Sequence, residues 1–331
     1  MSTQVVAESE TRSRRMPPSV ARNLGLLIAF ALICLIGFLT AGTRFASVDN
    51  VMTILRLASI IGVVSIGQCF VITSGGIDLS VGSMLGLATV WATTGINQYY
   101  ALQTHWLLLV FVALVVGVVG GLLNGIMIAY GRIVPFMATL ALMVAAKGMA
   151  EWIANRQTQI IKVPGFEDFF ASDPLGIPML VWIFAFVSVV GWVVFNRTTF
   201  GRRTIAIGGN IEATRLAGIK TNRHIVALYA LCGLCVGIAA VMMMGRTMAG
   251  SSTHGTLYEL DAIAAVVVGG TLLAGGRGTI FGTVIGVLIF TTLTNIFTQN
   301  NLPLSVQQIA KGAIIVGAVL LQQHVAQRGR S

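Results

Sequence analysis

Charge is what this chain most lacks. Only 10% of its 331 residues are Asp, Glu, Lys or Arg, while 56% are hydrophobic and the mean hydropathy is +0.87. An ordinary soluble domain carries about 25% charged residues, so this composition excludes a solvated globular fold. It also excludes a disordered chain, which needs low hydrophobicity, and a nucleic-acid partner, which needs a solvated basic face. Cysteine is scarce as well, with four residues. Cys232 and Cys235 form a C-x-x-C inside the apolar run 229–241, with no histidine or second pair nearby. They read as small packing residues, and neither a disulfide framework nor a metal site is expected. The enzymatic signatures are missing too. There is no H-E-x-x-H, no G-x-S-x-G and no G-x-x-x-x-G-K-[ST], and the four histidines fall at loops or span ends. No catalytic residue and no bound cofactor is expected, and if the chain pumps, its ATPase is another chain.

What is present is a succession of long apolar runs, the mark of an all-α polytopic membrane protein. A helix needs about 20 residues to cross a core of about 30 Å. Runs of roughly that length lie near 24–41, 52–73, 79–97, 106–130, 133–154, 178–196, 225–247, 259–274, 279–298 and 304–322. That makes about ten transmembrane helices in one domain, 24–322. A polar basic tail, 1–23, precedes it and a short tail, 323–331, follows. Arg14-Arg15 mimics a twin-arginine export signal, but no small-x-small cleavage site closes the first run, so an uncleaved first helix is favoured. The segments 79–97 and 259–274 abut glycine-rich breaks and suit half-helices or re-entrant segments. With an even number of spans both termini share one side. On that side fall 14 of the 21 Lys and Arg residues, six of them in the loop 197–224. Basic loops resist translocation, which places both termini and this loop in the cytoplasm.

Glycine is abundant, at 38 residues. Gly117, Gly120, Gly121 and Gly125 recur on one side of the fourth span and suit close helix packing. Two stretches share the form G-G-x-x-L-x-x-G, at 75–82 and 269–276, each between apolar spans. The match implies a parallel internal repeat, a known way to build a transporter. The paired glycines imply broken helices, tolerated only where protein or water covers the freed backbone.

Few ionisable residues fall at or near spans, and those usually face a cavity or a partner. Asp78 sits in the first glycine break. Glu259 and Asp261 open the span before the second break, where they also complement a helix N-terminus. Lys147 and Glu151 lie four apart on one helix face. The uncharged Ser74, Ser80, Ser83 and Asn124 suit a pathway for a polar solute that must bind weakly. The translocation pathway is therefore expected to draw on Ser74, Asp78, Ser80, Ser83, Asn124, Glu259 and Asp261. In the loop 197–224, Asn210 is a good N-cap, Glu212 lies in the first turn and Gly218 suits the C′ position. The helix between them is far shorter than the roughly 12–15 residues that are marginal alone in water. It would show Ile211, Leu216 and Ile219 on a cytoplasmic face. That pattern suits docking into a partner's groove, the alternative being rest on its own protein or on lipid headgroups.

Four segments carry a family resemblance: VITSGGIDLSVGSMLG (71–86), FMATLAL (136–142), TFGRRTIAIGGNIEATRLAG (199–218) and YELDAIAAVVVGGTLLAGGRGTIFG (258–282). On these the chain resembles the ribose-type sugar permeases of bacterial ABC importers. Gln68-Cys69 departs from the Gly-Met that the family often has there. The resemblance implies a dimeric, multi-pass permease of the bacterial inner membrane in contact with lipid. It implies a cytoplasmic ABC ATPase subunit that holds ATP and Mg, a periplasmic sugar-binding protein, and a second permease chain, read as a homodimer. It also implies that Gly209, Asn210, Glu212, Ala213, Leu216 and Gly218 belong to the segment that touches the ATPase. The solute is then a monosaccharide or related polyol. An ion-coupled secondary transporter of a small polar solute is the competing reading, and it needs a buried carboxylate that titrates. The topology is testable by single-cysteine labelling in a Cys-free background. A cysteine replacing Thr221 is expected to be shielded from an impermeant reagent added to intact cells, and labelling there would overturn the ten-span reading.

Overall fold

The computed structural model describes residues 18–328. Residues 1–17 and 329–331, with Arg12, Arg14, Arg15 and Arg330 of the two expected tails, lie outside the described residues. Helices dominate: α1 (Pro18–Ala41), α2 (Val48–Thr73), α3 (Val81–Ala92), α4 (Gly95–Gln103), α5 (Leu107–Ala129), α6 (Pro135–Ala154), α7 (Phe166–Ala171), α8 (Met179–Arg197), α9 (Thr199–Gly209), α10 (Ile211–Leu216), α11 (Thr221–Thr247), α12 (Tyr258–Val268), α13 (Ile280–Gln299) and α14 (Leu304–Arg328). One antiparallel pair joins β1 (Gln159–Ile160) to β2 (Ala249–Gly250), with Gln159 opposite Gly250 and Ile160 opposite Ala249.

Among the described residues, seven helices are long and apolar enough to cross a membrane: α1, α2, α5, α6, α8, α11 and α13. α2, α11 and α13 are largely buried and form the centre, with Val63, Ile66, Phe70, Leu228 and Met242 in one core. α1, α5, α6 and α8 ring them and turn apolar side chains outward, among them Leu32, Phe111, Val144 and Phe186. A water-facing surface so apolar would be costly, whereas acyl chains suit it.

The two ends of the bundle are distinct. At one, Asn50 Oδ1 accepts from Asn295 Nδ2 at 2.8 Å and Gln299 Nε2 at 2.7 Å, tying the start of α2 to the end of α13. At the other, Thr204 Oγ1 of α9 pairs with His224 Nε2 at the start of α11, 2.9 Å away.

The segments 79–97 and 259–274 do not form full-length helices. α3 has 12 residues and α12 has 11, lengths of about 18 Å and 16 Å at 1.5 Å per residue, short of the hydrocarbon core. The remainder of 79–97 turns into α4. The expected parallel repeat finds no matching elements at the two breaks. The first break follows a 26-residue helix and precedes a 12-residue one, while the second follows an 11-residue helix and precedes a 20-residue one. The glycines of the two stretches have similar spacing because both end helices, but the elements they join come in opposite order.

α5 and α11 meet along a glycine seam. Side chains on Gly117 and Gly121 would overlap the carbonyl oxygens of Gly233 and Tyr229, and one on Gly233 would overlap that of Gly117. The four-residue spacing of Gly117, Gly121 and Gly125 puts all three on this face, and the backbones touch as small-xxx-small packing requires. Gly120, expected in the same stripe, instead makes room for Met84 of α3. Gly121→Ala is expected to cost about 1–3 kcal/mol through overpacking. Gly148→Ala on α6, where a Cβ meets nothing within 4 Å, is the matched control. Thermal inactivation midpoints in detergent check this, and equal midpoints for the two variants would remove the seam's importance.

Candidate functional site

The first break, residues 74–80, is held by a closed polar knot. Asp78 Oδ1 accepts from Ser80 N at 2.9 Å, Ser80 Oγ at 2.6 Å and Asn124 Nδ2 at 3.3 Å. Asn124 Nδ2 also donates to Ser80 Oγ at 2.9 Å. The backbone carbonyls freed by the break find donors on α2 and α11. Gln68 Nε2 donates to Asp78 O at 2.7 Å, and Tyr229 OH to Ile77 O at 3.1 Å. Asp78, Ser80 and Asn124 are each no more than 2% exposed. Three of the expected pathway residues therefore come together, but as a sealed fastening. Ser74 lies apart and donates to Val71 O at 2.7 Å, finishing the last turn of α2.

The segment after β2 explains how the second half-helix begins part-way along the bundle. It runs antiparallel to α3: Gly250 lies against Thr89 and Thr93, Ser252 and His254 against Gly86, and Gly255 and Glu259 against Gly82. α12 thus starts beside the first turn of α3. Where the two helix starts meet α6, a cavity of about 280 Å³ opens, lined by Ser83, Lys147, Ser252, His254, Thr256 and Glu259 among others. Lys147 Nζ donates to Ser252 O at 2.6 Å and stands 3.7 Å from Glu151. Ser83 and Glu259, expected on the pathway, both line this cavity. Asp261 does not; it bonds Lys311 Nζ of α14 at 2.9 and 3.0 Å. Sequence reasoning missed Ser252 and His254 here and assigned Lys147 only to its helical neighbour. Among the described residues no group of three His, Cys, Asp or Glu side chains converges to hold a metal.

The two breaks touch each other. Gly276 N donates to Thr73 O at 2.8 Å, and Cys69 Sγ lies 3.6 Å from Thr271 Oγ1. Residues 197–224 pack against this junction. Sequence reasoning missed that α9 is a helix; Thr198 caps it, accepting from Phe200 N at 3.2 Å. α10 follows, and its caps are as expected from sequence. Asn210 Oδ1 accepts from Ala213 N at 2.9 Å, and Gly218 has φ +82°. Gly218 N reaches Arg215 O at 3.0 Å and Ile219 N reaches Thr214 O at 3.3 Å, the paired bonds of a Schellman end. Glu212 pairs with Arg215 at 3.1 Å, and Ile211 and Leu216 are exposed, Leu216 at 85%.

The chain is similar to known proteins along nearly its whole length. Residues 50–319 match the family described as branched-chain amino acid transport system / permease component. The ribose import permease protein RbsC of Escherichia coli K12 is 35% identical over 325 residues, covering 97% of this chain and 98% of that protein. RbsC of Bacillus subtilis 168 is 38% identical over 311 residues, covering 92% and 94%. The xylose transport system permease protein XylH of Escherichia coli K12 is 33% identical over 375 residues, covering 92% and 93%. No solved structure matches.

Asp78→Ala is expected to leave the Ser80 amide and hydroxyl donors unpaired, with Asn124 keeping only Ser80 Oγ, and to cost about 1–3 kcal/mol without preventing membrane insertion. Asp78→Asn, which keeps an acceptor oxygen, is expected to recover part of the loss. Thermal midpoints in detergent check the order, and a wild-type midpoint for Asp78→Ala would reduce Asp78 to a passive loop residue.

Proposed function

The chain belongs to the permease-component family that its residues 50–319 match, and from that premise we propose that it is the transmembrane subunit of an ATP-driven importer for a monosaccharide. The observation that carries the reading is α10: a helix too short to persist alone, capped at both ends, that presents Ile211 and Leu216 at one end of an apolar bundle. An element of this kind suits the groove of a partner. In this reading that partner is an ABC ATPase subunit holding ATP and Mg, and Gly209, Asn210, Glu212, Ala213, Leu216 and Gly218 form the contact segment. The names of the relatives, ribose and xylose permeases, supply the solute class. A periplasmic sugar-binding protein delivers it, and this chain does no bond chemistry.

The α9–α10 end is then cytoplasmic, as the Lys and Arg count favours, and so are both termini. Ten crossings of the inner membrane follow if α14 joins the seven long apolar helices and loop and half-helix together make two more, 74–92 and 250–278. The pathway lies along α6, α12 and α14. Lys147 and Glu259 line the cavity there and Lys311 pairs with Asp261, all partly exposed, and lipid tails would make that placement costly. Water and a second copy of the chain relieve the cost, which supports a homodimer with the solute passing between subunits. Ser83 and Glu259 then meet the solute, whereas Asp78, Ser80 and Asn124 support the wall behind it.

The assembled transporter in vesicles tests this reading. Uptake of labelled D-ribose or D-xylose is expected to require ATP and the binding protein and to survive collapse of ion gradients. Uptake that fails with the gradient and ignores ATP would point to an ion-coupled carrier. Gly218→Val, which places a β-branched residue at positive φ, and Glu212→Lys are expected to insert normally and to lose sugar-stimulated ATP hydrolysis. Normal stimulation and ATPase co-purification in both would mean that α10 is not the contact.

A further inference from the structure

The junction between the two glycine breaks has a third member. The C-terminal end of α9 is pressed onto it, backbone to backbone. A side chain on Gly208 would overlap both the Thr73 carbonyl oxygen and the Gly276 amide, the two groups joined by the 2.8 Å bond between the breaks. From the other side, a Cβ on Gly275 would stand 2.8 Å from Gly75 N and 2.9 Å from Gly208 O, and one on Gly276 would stand 3.2 Å from Gly209 N. Three chain segments, around residues 73–75, 208–209 and 275–276, thus meet with no side chain between them.

The rest of α9 is braced against the ends of other helices. Thr204 bonds His224 at the start of α11. The Phe200 ring lies 4.5 Å from the His224 ring and 6.1 Å from that of Phe70, in the last turn of α2. Gly201 fits against the Phe195 carbonyl near the end of α8. α10 is joined to this braced helix through the single extended residue Asn210, φ −162°. α9 is therefore the one element among the described residues that touches both breaks and leads directly into α10.

We propose that α9 is the strut through which α10 moves both glycine breaks together, and that Gly208 is its positioning residue. The inference rests on the transport reading above, but its geometry does not. Packed backbone has no slack, so a displacement of α10 is passed on instead of being absorbed in side-chain rotamers. The breaks are where it arrives because residues 74–80 and 269–279 lack a continuous helical ladder to resist bending. One input then reaches the foot of α2 and the foot of α13 at once, on either side of the half-helices that border the polar cavity.

The chain contains its own control. Gly208 on α9 and Gly25 on α1 both lie in helices and neither has positive φ, yet a Cβ on Gly25 meets nothing within 4 Å. Gly208→Ala and Gly25→Ala are therefore matched in backbone preference and differ in what the methyl group meets. In the assembled transporter, sugar moved per ATP hydrolysed is expected to fall about tenfold in Gly208→Ala and to stay unchanged in Gly25→Ala. Equal sugar per ATP in the two variants would overturn the proposal and leave the transport reading intact. In the purified permease chain, amide exchange over residues 269–279 is expected to quicken about tenfold in Gly208→Ala only. Unchanged exchange would overturn the junction whatever the chain carries, and quickened exchange in a complex that moves no sugar would instead count against the transport reading. Should Gly208→Ala not accumulate, Thr204→Val loosens the same strut without adding bulk at the junction. Sugar per ATP is expected to drop in that variant, and a wild-type ratio there would also overturn the proposal.

Discussion

A helix that stops part-way through an apolar bundle leaves amides and carbonyls that lipid cannot pair, and the pairing of those groups constrains everything around the centre of this protein. α3 and α12 are both such helices. At the first break the missing ladder is replaced by side chains from three directions: Asp78 takes the Ser80 amide, Gln68 reaches the Asp78 carbonyl, and Tyr229 reaches that of Ile77. At the second, the Gly276 amide finds the last carbonyl of α2. Neither half-helix can shift along the bundle without breaking bonds for which the interior offers no replacement. This explains why so polar a set as Asp78, Ser80, Asn124 and Gln68 is buried as deeply as apolar neighbours such as Val71, Leu85 and Tyr229.

The same constraint separates stiff parts from compliant ones. Along α5 and α11 the glycines let two complete helical ladders touch, and contact between backbones adds dispersion without rotamer entropy. That pair, with α2 against it, forms a fixed block. The breaks are short runs of turns and single bonds with positive φ at Gly75, Gly270, Gly275 and Gly276, where glycine reaches left-handed backbone without a Cβ clash. Two packed arrangements of such a molecule differ most cheaply at the breaks, because bending there leaves the seam and the helices intact.

How much of this could be read from the sequence depended on the range of each interaction. The caps of α10 were legible because Asn210 and Ala213, or Gly218 and Arg215, lie within one turn and the residue types state the bond. The glycine stripe of α5 was legible from its spacing, although Gly120 looks elsewhere. Asp78 stood out as the lone ionisable residue in its break, but whether it faced a pathway or a knot depended on Asn124, 46 residues away. Lys147 and Ser252 are 105 apart, and no local pattern joins them. The G-G-x-x-L-x-x-G match records that a helix ends but not which side carries the long helix, so the expected repeat does not follow from it. α9 escaped notice because three of its 11 residues are glycine, which disfavours a helix alone, while in context the small residues Gly201, Thr204 and Gly208 are what let it pack.

The division between knot and cavity bears on how a solute passes. A site that fully satisfied its own polar groups would offer a sugar little, and one that left them all free would hold it too tightly to release. The knot leans toward the first kind: Asp78 Oδ1 alone accepts three bonds, and Asn124 Oδ1 is its one buried side-chain atom without a partner. The cavity lies between the extremes. The Lys147 ammonium is already committed to the Ser252 carbonyl and lies near Glu151, so its strongest attraction is spent within the protein. Ser83, Thr256 and Glu259 remain along the wall, groups able to exchange hydrogen bonds with hydroxyls at little net gain over water. In the transport reading proposed above, a passage lined in this way favours transit over capture and leaves discrimination among sugars to a soluble binding partner.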